Sequence, residues 1–194
     1  MKRQALSRYQ RDPEGRLLLD VAADRTEDLY NNFDRVAPYS KRDLDPELVD
    51  YLIHSVRELG REPFALRFTI DRAPNEDQRS RIARSTKNFF LYLTDVQRHK
   101  VRQLVRRSLV LLVAGVALLF VSVWANTRVG PESSVAAEVV AQGLTVAAWV
   151  ALWEAIAIFL IDWLPHVGDI SLYQRIADAP VVFGDDGESL KLAP

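Results

Sequence analysis

The chain of 194 residues contains no cysteine. That excludes disulfides and thiolate metal ligands. Its three histidines, His54, His99 and His166, have no partner histidine at metal-ligand spacing, so each is expected to be a surface or structural residue. His166 has Asp162 and Asp169 nearby, but Pro165 stands among them. Hydrolase and nucleotide signatures are missing: there is no GxSxG, no P-loop, no HExxH and no GxGxxG after a strand. No pair of carboxylates stands at a spacing that identifies a general acid and base. The expectation is therefore a non-enzymatic protein without metal or cofactor. Neither sign of charge is in excess, with 25 Lys and Arg against 26 Asp and Glu. No nucleic-acid reader motif accompanies the basic residues, so nucleic acid is not an expected partner. Internal repeats and low-complexity tracts are lacking too. The opening residues, MKRQALSRYQRDPEG, carry no apolar core of a signal peptide.

What the chain does have is two long apolar runs. SLVLLVAGVALLFVSVWA, Ser108 to Ala125, has no charge, and Ser108 and Ser122 are its polar side chains. GLTVAAWVALWEAIAIFLI, Gly143 to Ile161, has Glu154 as its single charge and extends upstream to Val135. A helix needs about 20 such residues to cross a hydrocarbon core ~30 Å thick. The expected fold class is thus a mainly α membrane protein. A two-helix transmembrane hairpin is entered by a long helix, beside a small α+β N-terminal cytosolic domain. The expected segments are that domain over 1–75, a basic juxtamembrane helix over 76–107, transmembrane helix 1 over 108–125 and an external connector over 126–134. Transmembrane helix 2 over 135–164 and a cytosolic tail over 165–194 complete them.

Orientation follows from charge. Arg79, Arg81, Arg84, Lys87, Arg98, Lys100, Arg102, Arg106 and Arg107 stand against Asp95 alone in that stretch, whereas the connector holds only Arg128 as a positive charge. Positive residues beside membrane segments stay on the cytoplasmic side. Both termini are therefore expected in the cytosol and the plasma (inner) membrane is the expected location. Trp124 and Trp163 stand at run ends, where an indole keeps its N–H among headgroups.

Outside the runs, Asp12-Pro13-Glu14-Gly15 has the composition of a type I turn, with a strand expected from Arg16 to Val21 in an edge hairpin. Thr26 is expected to cap a short helix, TEDLYNNFDRV. Asp45, Pro46 and Glu47 form a helix start; Leu48, Tyr51, Leu52, Val56 and Leu59 form its stripe, and Gly60 its stop. Phe64, Leu66, Phe68 and Ile70 alternate with Arg67 and Thr69 as in a half-buried strand. From Glu76 to Ala125 no breaker is expected to interrupt the helix, whose stripe is Ile82, Phe89, Leu93, Val96 and Leu104. Pro165 and Gly168 are expected to end the second membrane helix. Val181–Phe183 and Leu190–Leu192 suggest a hairpin in the tail, which is expected to add to the sheet of the N-terminal domain.

Four features carry functional expectations. Glu154 falls in mid-membrane by count, where a carboxylate is costly, ~2.5 kcal/mol or more, and is expected to face another helix. It is either a proton or cation site or a protonated side chain bonded to Ser122, Ser108 or the backbone. Gly143, Ala147, Ala151 and Ala155 make a small-xxx-small series for close helix packing. Ser108, Gly115 and Ser122 make a small seam spaced by sevens on the first helix. Arg98, Lys100, Arg102, Arg106 and Arg107 are expected at anionic lipid headgroups as well as setting topology.

The order of soluble domain, long helix, membrane helix, short outer turn and acidic membrane helix resembles the topology of mitochondrial calcium uniporter pore subunits. Those carry Trp-Asp-x-x-Glu-Pro at the outer start of the second helix. Here Trp153-Glu154 has no Asp before it and no Pro after it, so calcium selectivity does not carry over. Two functions remain in view. One is a self-associating membrane scaffold or regulatory subunit, with membrane lipids, further copies and a cytosolic protein as partners. The other is a small oligomeric proton or cation channel or carrier using Glu154.

Overall fold

The computed structural model describes residues 6–31, 42–128 and 135–184, with the side chains of Ala137 and residues 162–167 set aside. The chain is mostly helical, with a three-stranded parallel sheet and two helices apolar enough to span a membrane. In order come β1 (Leu17–Ala23), a 3-10 turn (Thr26–Leu29), α1 (Pro46–Leu59), β2 (Phe64–Ile70) and α2 (Glu76–Arg128). These are followed by α3 (Val135–Ala157), a π turn (Ile158–Asp162), α4 (Trp163–Ala177) and β3 (Val181–Phe183). Two compact units form, one from Met1–Asp95 with Ser171–Pro194, the other from Val96–Ile170. The first turns of α2 belong to the core of the first unit through Ile82 and Phe90.

That core is built on the sheet, in the order β1-β2-β3. The Asp12–Gly15 turn forms: Gly15 donates its N–H to the Asp12 carbonyl at 2.9 Å and takes φ +81°, which costs glycine nothing. The expected edge hairpin reduces to one antiparallel bridge, Arg11 to Leu17. β1 instead pairs parallel to β2, Leu17 against Phe64 through Ala23 against Ile70. A parallel neighbour requires a crossover, and α1 supplies it. Asp45 caps α1 by accepting from the Glu47 N–H at 2.9 Å and the Leu48 N–H at 3.4 Å, and Gly60 closes it at φ +66°. The buried face of α1 is Val49, Leu52, Ser55, Val56 and Leu59. Tyr51, expected in that stripe, is instead exposed, and its hydroxyl donates to the Asp20 carbonyl at 2.8 Å.

β2 alternates as its sequence requires. Phe64, Leu66, Phe68 and Ile70 are buried, while Arg67 and Thr69 are half-buried on the other face. There the Arg67 guanidinium donates to its cross-strand neighbour Asp20 and, at 2.9 Å, to Gln10. The start of α2 packs through Ile82, Ser85, Thr86 and Phe90. Phe89 and Leu93, expected on the stripe, are only partly buried. The helix is rotated so that Phe90 goes in, and burying such a side chain is worth roughly 1.5–3 kcal/mol.

The tail joins the sheet as expected. β3 runs parallel to β2, Leu66 against Val181 through Phe68 against Phe183. The suggested partner strand at 190–192 lies outside the described residues, as do residues 32–36 of the expected TEDLYNNFDRV helix. Arg175 ties the end of α4 down, donating to the Gly60 carbonyl and, at 2.9 Å, to the Glu62 carbonyl, with its guanidinium over Phe64.

In the second unit, α2 and α3 form an antiparallel hairpin. From residue 101 of α2 onward, with Leu119 half-buried beside them, the buried or half-buried positions are Val101, Leu104, Ser108, Leu111, Gly115, Leu118, Ser122 and Ala125. Their alternate spacing of three and four is the seam of two helices in 3.5-residue register. Pro165 and Gly168 do not end the second helix. The chain makes a π turn over Ile158–Asp162 and continues helical to Ala177. A proline cannot donate to the carbonyl four residues back, and a π turn just upstream shifts the ladder so that the helix passes it.

Candidate functional site at the basic end of the hairpin

Three contacts fix the register of the two hairpin legs. Ser108 Oγ donates to the Ala155 carbonyl at 2.9 Å. Ser122 Oγ meets Thr145 Oγ1 at 2.5 Å, and Thr145 also donates to the Ala141 carbonyl at 3.1 Å. Between them Gly115 lies against Leu152, so closely that a Cβ at Gly115 would stand 2.9 Å from Leu152 Cγ and 3.2 Å from Leu152 N. The seven-residue seam of Ser108, Gly115 and Ser122 is thus a real packing line, with two hydroxyls and one close approach.

That register moves Glu154. The count along the sequence set it in mid-membrane and facing a helix contact. It stands instead one residue from Ala155, the partner of Ser108, at the very start of the first apolar run. Its Oε1 lies 3.6 Å from Arg107 Nη2, and the two side chains are 50 % and 67 % exposed. The hydroxyls of Ser108 and Ser122, expected as its partners, are spent on Ala155 and Thr145. The miscount arose because the apolar stretch of α3 overhangs that of α2. Residues 156–161 of the second leg lie beyond Ser108, the first residue of its partner's apolar run.

The packing face of α3 is also turned from expectation. Ala141, Ala148, Ala155 and Ile158 are buried, and Ala151 and Leu152 half-buried, whereas Gly143 and Ala147 are exposed. Of the small series, then, Ala151 and Ala155 face the first leg and Gly143 and Ala147 do not; a Cβ at Gly143 would meet nothing within 4 Å. The signal that finds Ala141 and Ala148 is the seven-residue spacing back from Ala155, the same period as on α2. Thr145 and Leu152 were also overlooked; Thr145 is the polar residue that an antiparallel register sets opposite Ser122.

Arg98, Lys100, Arg102, Arg106 and Arg107 are all exposed on α2. Gln103, Arg106, Arg107, Val110, Leu111 and Glu154 line a groove of ≈ 430 Å³. At the other end Arg128 lies over the Trp124 ring at 5.1 Å. No group of three or more histidines and acids capable of holding a metal occurs among the described residues. His54 and His99 are exposed. Comparison with protein-family models, with curated proteins and with solved structures yields no match.

Proposed function

We propose that the chain is an integral membrane scaffold. Its hairpin anchors it, copies associate through the hairpin, and the parallel-sheet unit engages a cytosolic protein partner without catalysis. The observation that carries this reading is the exposure of the hairpin. Only 17 % of the most apolar window of each helix is buried. Phe120, Trp124, Trp149 and Trp153 are each more than 60 % exposed. Water tolerates no contiguous apolar surface on that scale; lipid tails and neighbouring helices do.

Conduction through Glu154 is the weaker reading. The carboxylate stands against Arg107, and the hydroxyls along the seam are used within the hairpin, so among the described residues no polar row is left to line a path. The scaffold reading is tested by alkaline extraction of membranes from expressing cells, followed by light scattering in detergent. The protein is expected to stay in the pellet and to run as a multimer. A chain released into buffer, or a strict monomer without a co-purifying protein, would overturn it.

A further inference from the structure

We propose that the groove at the basic end of the hairpin is a docking site for one anionic phospholipid, tuned by Glu154. The inference rests on the membrane reading above and goes further by naming the lipid class and the residue that sets its affinity. The groove is lined by apolar Val110 and Leu111 and, nearer the start of α2, by Gln103, Arg106 and Arg107, whose polar ends mark its mouth. That is the polarity order of a phospholipid entering tail-first along a helix. Arg106 is exposed and has no ion-pair partner among the described residues, whereas Arg107 is held at 3.6 Å by Glu154. The mouth therefore presents one positive charge net, with one guanidinium free to take a phosphate bidentately.

Charge complementarity selects the occupant. A zwitterionic headgroup brings its own cation to compete with Arg106, and an anionic one does not. A second copy of the chain offers at this level the same basic surface, whose acid is already paired. The free phosphate ion would fill the mouth and leave the ≈ 430 Å³ groove and its apolar lining unused. Glu154 has a defined part: it neutralises Arg107. Removing its charge leaves two free guanidinium groups at the mouth, so binding is expected to tighten, a sign opposite to that for loss of any ordinary binding residue.

The test uses the full chain in phosphatidylcholine nanodiscs with a rising fraction of brominated phosphatidylglycerol, which quenches nearby indoles. Trp153, 72 % exposed and adjacent to Glu154, is the reporter, in a background of Trp124→Phe, Trp149→Phe and Trp163→Phe. The half-quenching fraction is expected to rise about fivefold in Arg106→Gln, the factor matching ~1 kcal/mol per charge. It is expected to fall about fivefold in Glu154→Gln and to stay unchanged in Arg84→Gln. Brominated phosphatidylcholine at equal fraction is expected to quench only to the level of random contact. Equal quenching by the two lipids, an unchanged or raised half-point in Glu154→Gln, or competition by millimolar inorganic phosphate would each overturn the proposal. Failure to enter nanodiscs at all would instead overturn the membrane reading beneath it.

Discussion

A methyl group at Gly115 is the sharpest probe of the hairpin. In Gly115→Ala the new Cβ would lie 2.9 Å from Leu152 Cγ, 3.1 Å from Leu152 Cδ2 and 3.2 Å from Leu152 N. Carbon atoms are comfortable at ~3.5–4.0 Å, so the overlap is about half an ångström. The leucine side chain can rotate away; its backbone nitrogen moves only if the helices part. Overpacking of this kind costs about 1–3 kcal/mol. Alanine is also a better helix former than glycine by ~1 kcal/mol, which hides part of that cost. Gly143→Ala supplies the correction: it makes the same change of propensity on the other leg, where nothing lies within 4 Å of the added atom. The difference between the two variants is then the steric term alone, about 1–3 kcal/mol. The assay is reversible unfolding by sodium dodecyl sulfate in mixed micelles, followed by circular dichroism. Gly143→Ala should be neutral or stabilised and Gly115→Ala less stable than it. In a Leu152→Ala background, where Cγ and Cδ2 are gone, the gap should shrink by at least ~0.5 kcal/mol. Two glycine variants of equal stability would show that the legs do not meet at Gly115.

Three other outcomes are expected. Ser122→Ala, Thr145→Ala and their double variant should give a coupling of about 0.6 kcal/mol and not above ~1.7 in the same unfolding assay; a coupling of zero would remove the 2.5 Å contact. Asp12 is partly desolvated, which acts upward, but hydrogen bonds from Arg16 and the Glu14 N–H hold its carboxyl below the ordinary value. A depressed carboxyl contributes stability above its unfolded pKa, near 3.9, and loses it as pH falls through that value and below. Acid unfolding of wild type should thus be steeper below about pH 4 than that of Asp12→Asn, and parallel curves would contradict this. The absence of native cysteine allows Arg8→Cys and Thr127→Cys as single labels in intact cells. An impermeant maleimide should reach Thr127→Cys and not Arg8→Cys, and the reverse pattern would invert the proposed topology.

Local chemistry was legible where it decides structure locally. Asp45, Pro46 and Gly60 bound α1 within the residues that carry those signals, and the alternation of Phe64 to Ile70 places β2. The continuity of α2 across the junction at Arg107 followed from the lack of any breaker. Faces and levels were harder. One helix stripe admits several rotations, and Phe89 and Phe90 are equally apolar, so which one enters the core is set by distant parts of the chain, among them Tyr173, whose ring lies 6.3 Å from that of Phe90. Glu154 was misplaced for a related reason. Hydropathy counts residues along one helix, but the level of a carboxylate in a hairpin is set by the other leg. The Ser108 to Ala155 bond decides it, and no single run contains that information.

The parallel sheet explains how a hairpin of this kind can interrupt the sequence of a small domain. β2 and β3 are neighbours in the sheet, yet the chain between them runs from Asp71 to Pro180 and includes both apolar helices. Parallel neighbours always need a crossover of a dozen residues or more, so the topology already demands a long excursion. Closing a longer one is cheap, because each doubling of length adds only ~0.6 kcal/mol. The hairpin is therefore an enlarged crossover rather than an appendage. β3 supplies three half-buried residues and has no tight turn to bring it back to β2. It is held by Arg175 on the Gly60 and Glu62 carbonyls and by the Gly184 N–H on the Phe68 carbonyl at 3.0 Å. Its pairing follows only when both legs have been made and the chain has returned. Completion of the sheet thus requires the whole excursion to be present, which links the sheet unit through the chain to the segment we propose is inserted.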